Sequence, residues 1–139
     1  MTKASDENRA AFDEAALLAE AQSNSGLTDF GEDEFRPALG VLLTSLREEA
    51  PLNELGRTIL RARVLESLET RLKTQGWINR HPEILEEEIG APLVVIGLMR
   101  TGTTMLQRII ASDPRNHACM WWETRFPAPH ADTDWSQPD

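Results

Sequence analysis

The sequence predicts an α/β chain, a parallel sheet preceded by a helical N-terminal region, on three observations. Leu93 to Ile96 is a short apolar run rich in β-branched residues, bounded by Pro92 and Gly97. That is the pattern of a parallel strand covered on both faces. Met105, Leu106, Ile109 and Ile110 then recur at helical spacing, so the period changes from strand to helix across the loop between them. Upstream, three stretches carry apolar residues at helical spacing, separated by turn formers.

In chain order, residues 1–8 are polar and expected to fray. Arg9 to about Gln22 is alanine-rich, with Phe12, Ala15, Ala16 and Ala19 on one face, and predicts the first helix, ended by Ser23-Asn24-Ser25-Gly26. Thr28 to Asp33 predicts a turn. The second helix is expected over about Glu34 to Glu49, with Phe35, Leu39, Leu42, Leu43 and Leu46 facing the core. Pro37 is tolerated only in a first turn, which fixes that start. Gly40 either weakens the helix or marks a close packing contact.

Pro51 breaks the chain, and Asn53 is a good N-cap for a third helix over about Glu54 to Gln75. Its expected apolar face is Leu55, Ile59, Ala62, Leu65, Leu68 and Leu72, with Gly76 in the position after the C-cap. Trp77 and Ile78 are expected to pack into the core. Pro82 can open a short helix through about Glu87. After the strand, a helix over about Gly102 to Ala111 stops at Ser112-Asp113-Pro114, and Asn116 to Met120 leads toward a second strand or its edge. Residues 1–90 thus read as a helical region and 91–139 as the start of an α/β domain.

The 139 residues are 40% hydrophobic and 27% charged, enough for one modest domain. The formal net charge of −9 argues against general nucleic-acid binding, which requires a basic face. No apolar run is long enough for a transmembrane helix, and the acidic N-terminus has no secretory core. Cys119 is the sole cysteine, so no internal disulfide forms, and a cytoplasmic location is the simplest expectation. Cys119 itself reads as a small buried residue. The charge is uneven: between Gly97 and Arg125, four arginines face Asp113 and Glu123, a local balance of +2 that suits a small anionic ligand.

The loop between strand and helix nearly fits the phosphate-binding pattern G-x-x-x-x-G-K-[ST]. Gly97 and Gly102 hold the glycine positions and Thr104 the hydroxyl position, but Thr103 stands where the lysine belongs. A nucleotide triphosphatase uses that lysine on its β and γ phosphates, so its absence counts against ATP or GTP hydrolysis. The available cation is Arg100, whose guanidinium can fork onto phosphate or sulfate oxygens. The sheet is therefore expected to be of the phosphate-loop nucleotide-hydrolase type. It is also expected to be incomplete, because one strand and the edge of a second cannot cover their own edges.

Arg100-Thr101-Gly102-Thr103-Thr104 resembles the first loop of sulfotransferases that use 3′-phosphoadenosine 5′-phosphosulfate (PAPS): a basic residue, Ser or Thr, Gly, Thr, Thr. The resemblance is closest to the bacterial stand-alone type, with G-L-x-R-T-G-T-T, a helix, then D-P and W-E. Here these are Gly97-Leu98-Met99-Arg100, Asp113-Pro114 and Trp122-Glu123. Glu123-Thr124-Arg125 is similar to a segment of the tyrosylprotein sulfotransferases, after a connection about two residues longer than theirs. Asp29-Phe30-Gly31 and His81-Pro82-Glu83-Ile84-Leu85 also look like the bacterial type, so the resemblance runs from about Leu27 onward.

The resemblance implies sulfuryl transfer from PAPS to an acceptor hydroxyl or amine. The donor would be held by Leu98, Met99, Arg100, Thr101, Gly102, Thr103 and Thr104. Arg100 would take the part of the basic residue near the leaving oxygen, and Glu123 that of the catalytic base. No metal is called for, and no ligand cluster stands out. His117 lies near this segment and suits acid–base work near neutral pH. Trp121 and Trp122 read as core or pocket wall. The family's later serine and arginine, which hold the 3′-phosphate, would lie beyond Asp139, so the chain is expected to be cut off within the catalytic domain. Two other readings stand beside this one: a phosphate-loop nucleotide kinase, and an inactive fragment acting only as a binding module.

Overall fold

The computed structural model of the chain describes residues 3–129. It divides into two compact units, parted after Pro82. The first is built from α1 (Lys3–Ala11), α2 (Glu14–Ser25), α3 (Phe35–Glu48) and α4 (Glu54–Arg80). The second holds α5 (Thr103–Ala111) and α6 (Trp121–Arg125), after a 3-10 turn at Pro82–Glu86 that begins at the boundary.

In the first unit, α2 lies along α4, and α1 touches both α3 and α4. The core is Phe12, Leu17, Ala21, Phe30, Leu39, Leu43, Leu46, Val64, Leu68 and Leu72. The expected first helix is two helices. Asp13 stops the run because its carboxylate takes the Ala16 N–H at 2.9 Å, an N-cap in extended backbone. Lys3 to Asn8, expected to fray, lie in α1 instead, and Asn8 is buried against Arg57. Gly26 ends α2 with φ of 68°, a left-handed conformation that glycine adopts without strain.

Pro37 falls in the first turn of α3 and Asn53 caps α4, its side chain accepting the Gly56 N–H at 2.7 Å. A Cβ at Gly40 would meet nothing within 4 Å beyond its own helix, so this glycine marks no close contact. Gly76 does not end α4, which continues to Arg80. A Cβ there would stand 3.2 Å from Leu27, so this glycine admits a neighbouring side chain. Trp77 is half-buried and stacks on His81 at 5.1 Å between ring centroids.

The expected apolar face of α4 holds at Leu68 and Leu72 and fails at its start. Val64, Leu68 and Leu72 are buried, while Leu55 and Ile59 are exposed. Arg57 and Arg61 bind α1 and α2 instead. Arg57 pairs with Glu7 at 3.0 Å and donates to Asn8 at 2.8 Å. Arg61 forks onto both oxygens of Glu20, at 3.0 and 2.5 Å, and donates to the Ala11 carbonyl. The Asp29-Phe30-Gly31 turn is likewise a clamp. Asn79 and the Gly31 N–H both donate to Asp29, and Arg71 donates to the carbonyls of Phe30 and Glu32.

These pairings hold the Glu20 and Asp29 carboxyls below the ordinary carboxylate range, chiefly through the Arg61 and Asn79 hydrogen bonds respectively. A depressed folded-state pKa gives stability that is complete above the unfolded value and lost as pH falls through the folded one. Helicity followed by circular dichroism is therefore expected to decline on acidification below about pH 4, near the unperturbed carboxylate values. Glu20→Gln should flatten that decline. Glu20 is partly exposed, so solvent screening limits its share to about 1 kcal/mol.

The expected parallel sheet does not form: no strand occurs among the described residues. Leu93, Val94 and Ile96 are 72%, 70% and 89% exposed. An apolar run becomes a strand only where another segment takes its N–H and C=O groups. No described segment does so, and Asn116 to Met120, the expected second strand, is irregular. Residues 130–139, which include His130 and the acidic tail, lie outside the described residues.

Candidate functional site

The loop at Gly97 to Gly102 is shaped by two glycines for different reasons. A Cβ on Gly97 would stand 2.6 Å from Thr103 Cγ2 and 2.8 Å from Thr101 Oγ1, so the loop closes over a residue with no side chain. Gly102 has φ of 91°, which only glycine adopts easily, and it delivers the chain into α5. Thr101 Oγ1 donates to the Leu98 carbonyl at 2.7 Å and ties the loop across itself. Arg100 is held at φ of 64°, a left-handed conformation costly for a side chain of this size.

The first intrahelical bond of α5 runs from the Leu106 N–H to the Gly102 carbonyl. No side chain caps the helix, so the N–H groups of Thr103, Thr104 and Met105 are uncommitted at the positive end of its dipole. A hollow of about 440 Å³ opens here, lined by Arg100, Gly102, Thr103, Thr104, Met105 and Arg108. Neither arginine has an ion-pair partner among the described residues. Two uncompensated guanidinium groups, two hydroxyls and a helix start make a surface suited to a doubly charged oxyanion.

The structure thus gathers Arg100, Gly102, Thr103 and Thr104 from the expected donor-holding residues. Leu98, Met99 and Thr101 do not line the hollow. Arg108 was legible only as one more helix-surface charge. Its usable signal is the four-residue spacing from Thr104, which puts both on one face of α5.

Glu123 sits on α6. Its Oε2 accepts the Met120 N–H at 2.5 Å, closing the helix start, and its Oε1 faces His117 Nε2 at 3.6 Å. It lines neither the hollow nor the larger cavity of about 670 Å³ between the 90–95 segment, α5 and residues 115–119. That cavity reaches Thr103, Thr104, Gln107, His117 and Cys119. Trp121 and Trp122 are 73% and 55% exposed and so form no apolar wall around Glu123. Cys119 is exposed rather than buried, because no strand pairing carries its segment inward. Arg115 is tied to Asp113 at 2.6 Å, which holds that carboxyl below its usual range. Among the described residues no three of His, Cys, Asp and Glu cluster as metal ligands, and no helix is long and apolar enough to cross a membrane.

No family model and no curated protein matches the chain. Among solved structures it is similar to sulfotransferase STF1 from Mycobacterium tuberculosis H37Rv, with 38% identity and a TM-score of 0.78. That similarity covers 84% of this chain and 33% of the other, so the chain spans about a third of that protein's length. The identity is well above the level at which only a fold is shared, and over most of its length this chain is a relative of the sulfotransferases.

Proposed function

We propose that this chain carries the donor-gripping part of a PAPS-dependent sulfotransferase, which moves a sulfuryl group from PAPS to an acceptor hydroxyl or amine. One observation carries the reading: Arg100, Arg108, Thr103 and Thr104 share one hollow at the head of α5, in a chain 38% identical to a sulfotransferase. In this reading Arg100 and the free amides of α5 hold the 5′-phosphate and neutralise charge as it grows on the leaving oxygen. The Thr103 and Thr104 hydroxyls orient the same group. Glu123 serves removal of the acceptor's proton.

Calorimetry with adenosine 3′,5′-bisphosphate tests it. Binding is expected without added metal and is expected to weaken with salt, because the contributing charges are exposed. No binding would favour an inactive module, and strict dependence on magnesium would favour a nucleotide kinase. Glu123→Gln is expected to lower turnover, by about 10²- to 10⁴-fold for loss of acid–base assistance, while leaving nucleotide affinity unchanged. An equal loss of affinity and of helical signal would make Glu123 a purely structural cap.

A further inference from the structure

We infer that the cleft between α3 and α4 is a binding site for a single-chain fatty carboxylate. The cleft lies wholly within the helical unit and has no part in the sulfuryl-transfer reading. α3 packs on α1, and α4 on α2 and α1, while the backbones of α3 and α4 stay apart. A space of about 440 Å³ opens between them, a size that suits a small molecule. Leu39, Leu42 and Leu46 line it from α3, and Leu60, Val64 and Leu68 from α4. Leu39, Leu46, Val64 and Leu68 are buried, so the floor of the cleft is the core itself, and Leu42 is left 47% exposed on its wall.

Charge selects the occupant. Arg63, Ser67 and Arg71 make the polar edge of the cleft. Each follows the last by four residues on α4, so they stand in one row about 12 Å long. No Asp or Glu lines the cleft, although the chain has 23 acidic residues against 14 lysines and arginines. The Arg63 side chain has no hydrogen-bond or ion-pair partner among the described residues. Arg71 lies over the Phe35 ring at 4.3 Å and donates to the Phe30 and Glu32 carbonyls, which leave its charge unbalanced. The Ser67 hydroxyl donates to the Arg63 carbonyl at 2.9 Å, so anchoring falls to the two guanidinium groups. An apolar trough with an uncompensated positive edge complements a molecule that is apolar along its length and anionic at one end. The planar guanidinium fork of Arg63 matches a planar carboxylate, and the alkyl chain lies along the leucine and valine floor.

Calorimetry of the full chain with decanoate, below the concentration at which decanoate self-associates, is the test. One molecule is expected to bind per chain, and affinity is expected to rise about three- to fourfold for each methylene from octanoate to decanoate, with acetate inert. Arg63→Ala should weaken decanoate by about three- to tenfold, the weight of a charge-assisted contact at a solvent-facing edge. Its helical signal and its affinity for uncharged octyl glucoside should match the parent, since Arg63 is exposed and unpaired. Leu42→Asn, at a half-exposed position, should weaken both ligands. Absence of binding at millimolar decanoate would overturn the assignment, as would several equivalents bound with no effect of Arg63→Ala. A loss caused by Arg100→Ala instead would move the carboxylate to the head of α5. A dimer in sedimentation that Leu42→Asn breaks and decanoate leaves intact would give the cleft to a second copy of the chain.

Discussion

Arg100→Ala is expected to weaken adenosine 3′,5′-bisphosphate binding by about 10- to 100-fold, the weight of hydrogen bonds to a charged group, and to slow sulfuryl transfer by about 10²- to 10³-fold. The larger kinetic effect follows from the charge being needed most when the leaving oxygen becomes anionic. The melting curve should not move downward. Among the described residues Arg100 has no ion-pair partner to lose, and its side chain is exposed, so alanine removes no packing. Arg100→Lys keeps the charge but not the planar fork, and is expected to fall between parent and alanine. Arg108→Ala should show a smaller loss of affinity, since it borders the same hollow from the second turn of α5. An Arg100→Ala variant with parental affinity would leave the hollow without its main anchor and would overturn the placement of the donor there.

What was legible in the sequence was local. Asn53 and Pro37 mark helix starts through hydrogen bonding and ring geometry that need no distant partner, and both act at the expected positions. The Gly97 and Gly102 loop was readable for the same reason, since its shape is dictated within seven residues. What was not legible depended on neighbours. Gly76 reads as a helix terminus, yet Leu27 supplies the reason for a glycine there. The alanine-rich run reads as one helix, but Asp13 can cap from within it. Leu93 to Ile96 has the composition of a buried strand, and composition cannot supply a hydrogen-bonding partner. The His117 contact with Glu123 spans an irregular segment whose course no periodicity encodes. At the site the same division holds: the motif named Arg100, Thr103 and Thr104, while the place of Arg108 beside them emerged only from the shared hollow.

Leu72→Ala should destabilise the helical unit by about 2–5 kcal/mol, whereas Leu55→Ala should change it by no more than about 0.5 kcal/mol. The sequence reading groups both leucines on one apolar face of α4, although seventeen residues at 3.6 per turn leave them roughly 100° apart, so the pair separates two descriptions of the core. Leu72 is 0% exposed, in a cluster with Leu68 and residues of α2 and α3, while Leu55 is 68% exposed. The core follows the stripe of Val64, Leu68 and Leu72, from which Leu55 is rotated away, while the start of α4 meets α1 and α2 through Arg57 and Arg61. The aliphatic stems of long side chains can cover apolar surface while their charged heads pair at the edge. Only where the stripe becomes wholly apolar does it build a core. Urea unfolding followed by circular dichroism measures both variants. Equal losses at positions 55 and 72 would restore the single face grouped from the sequence and remove the arginine-edged packing of α4.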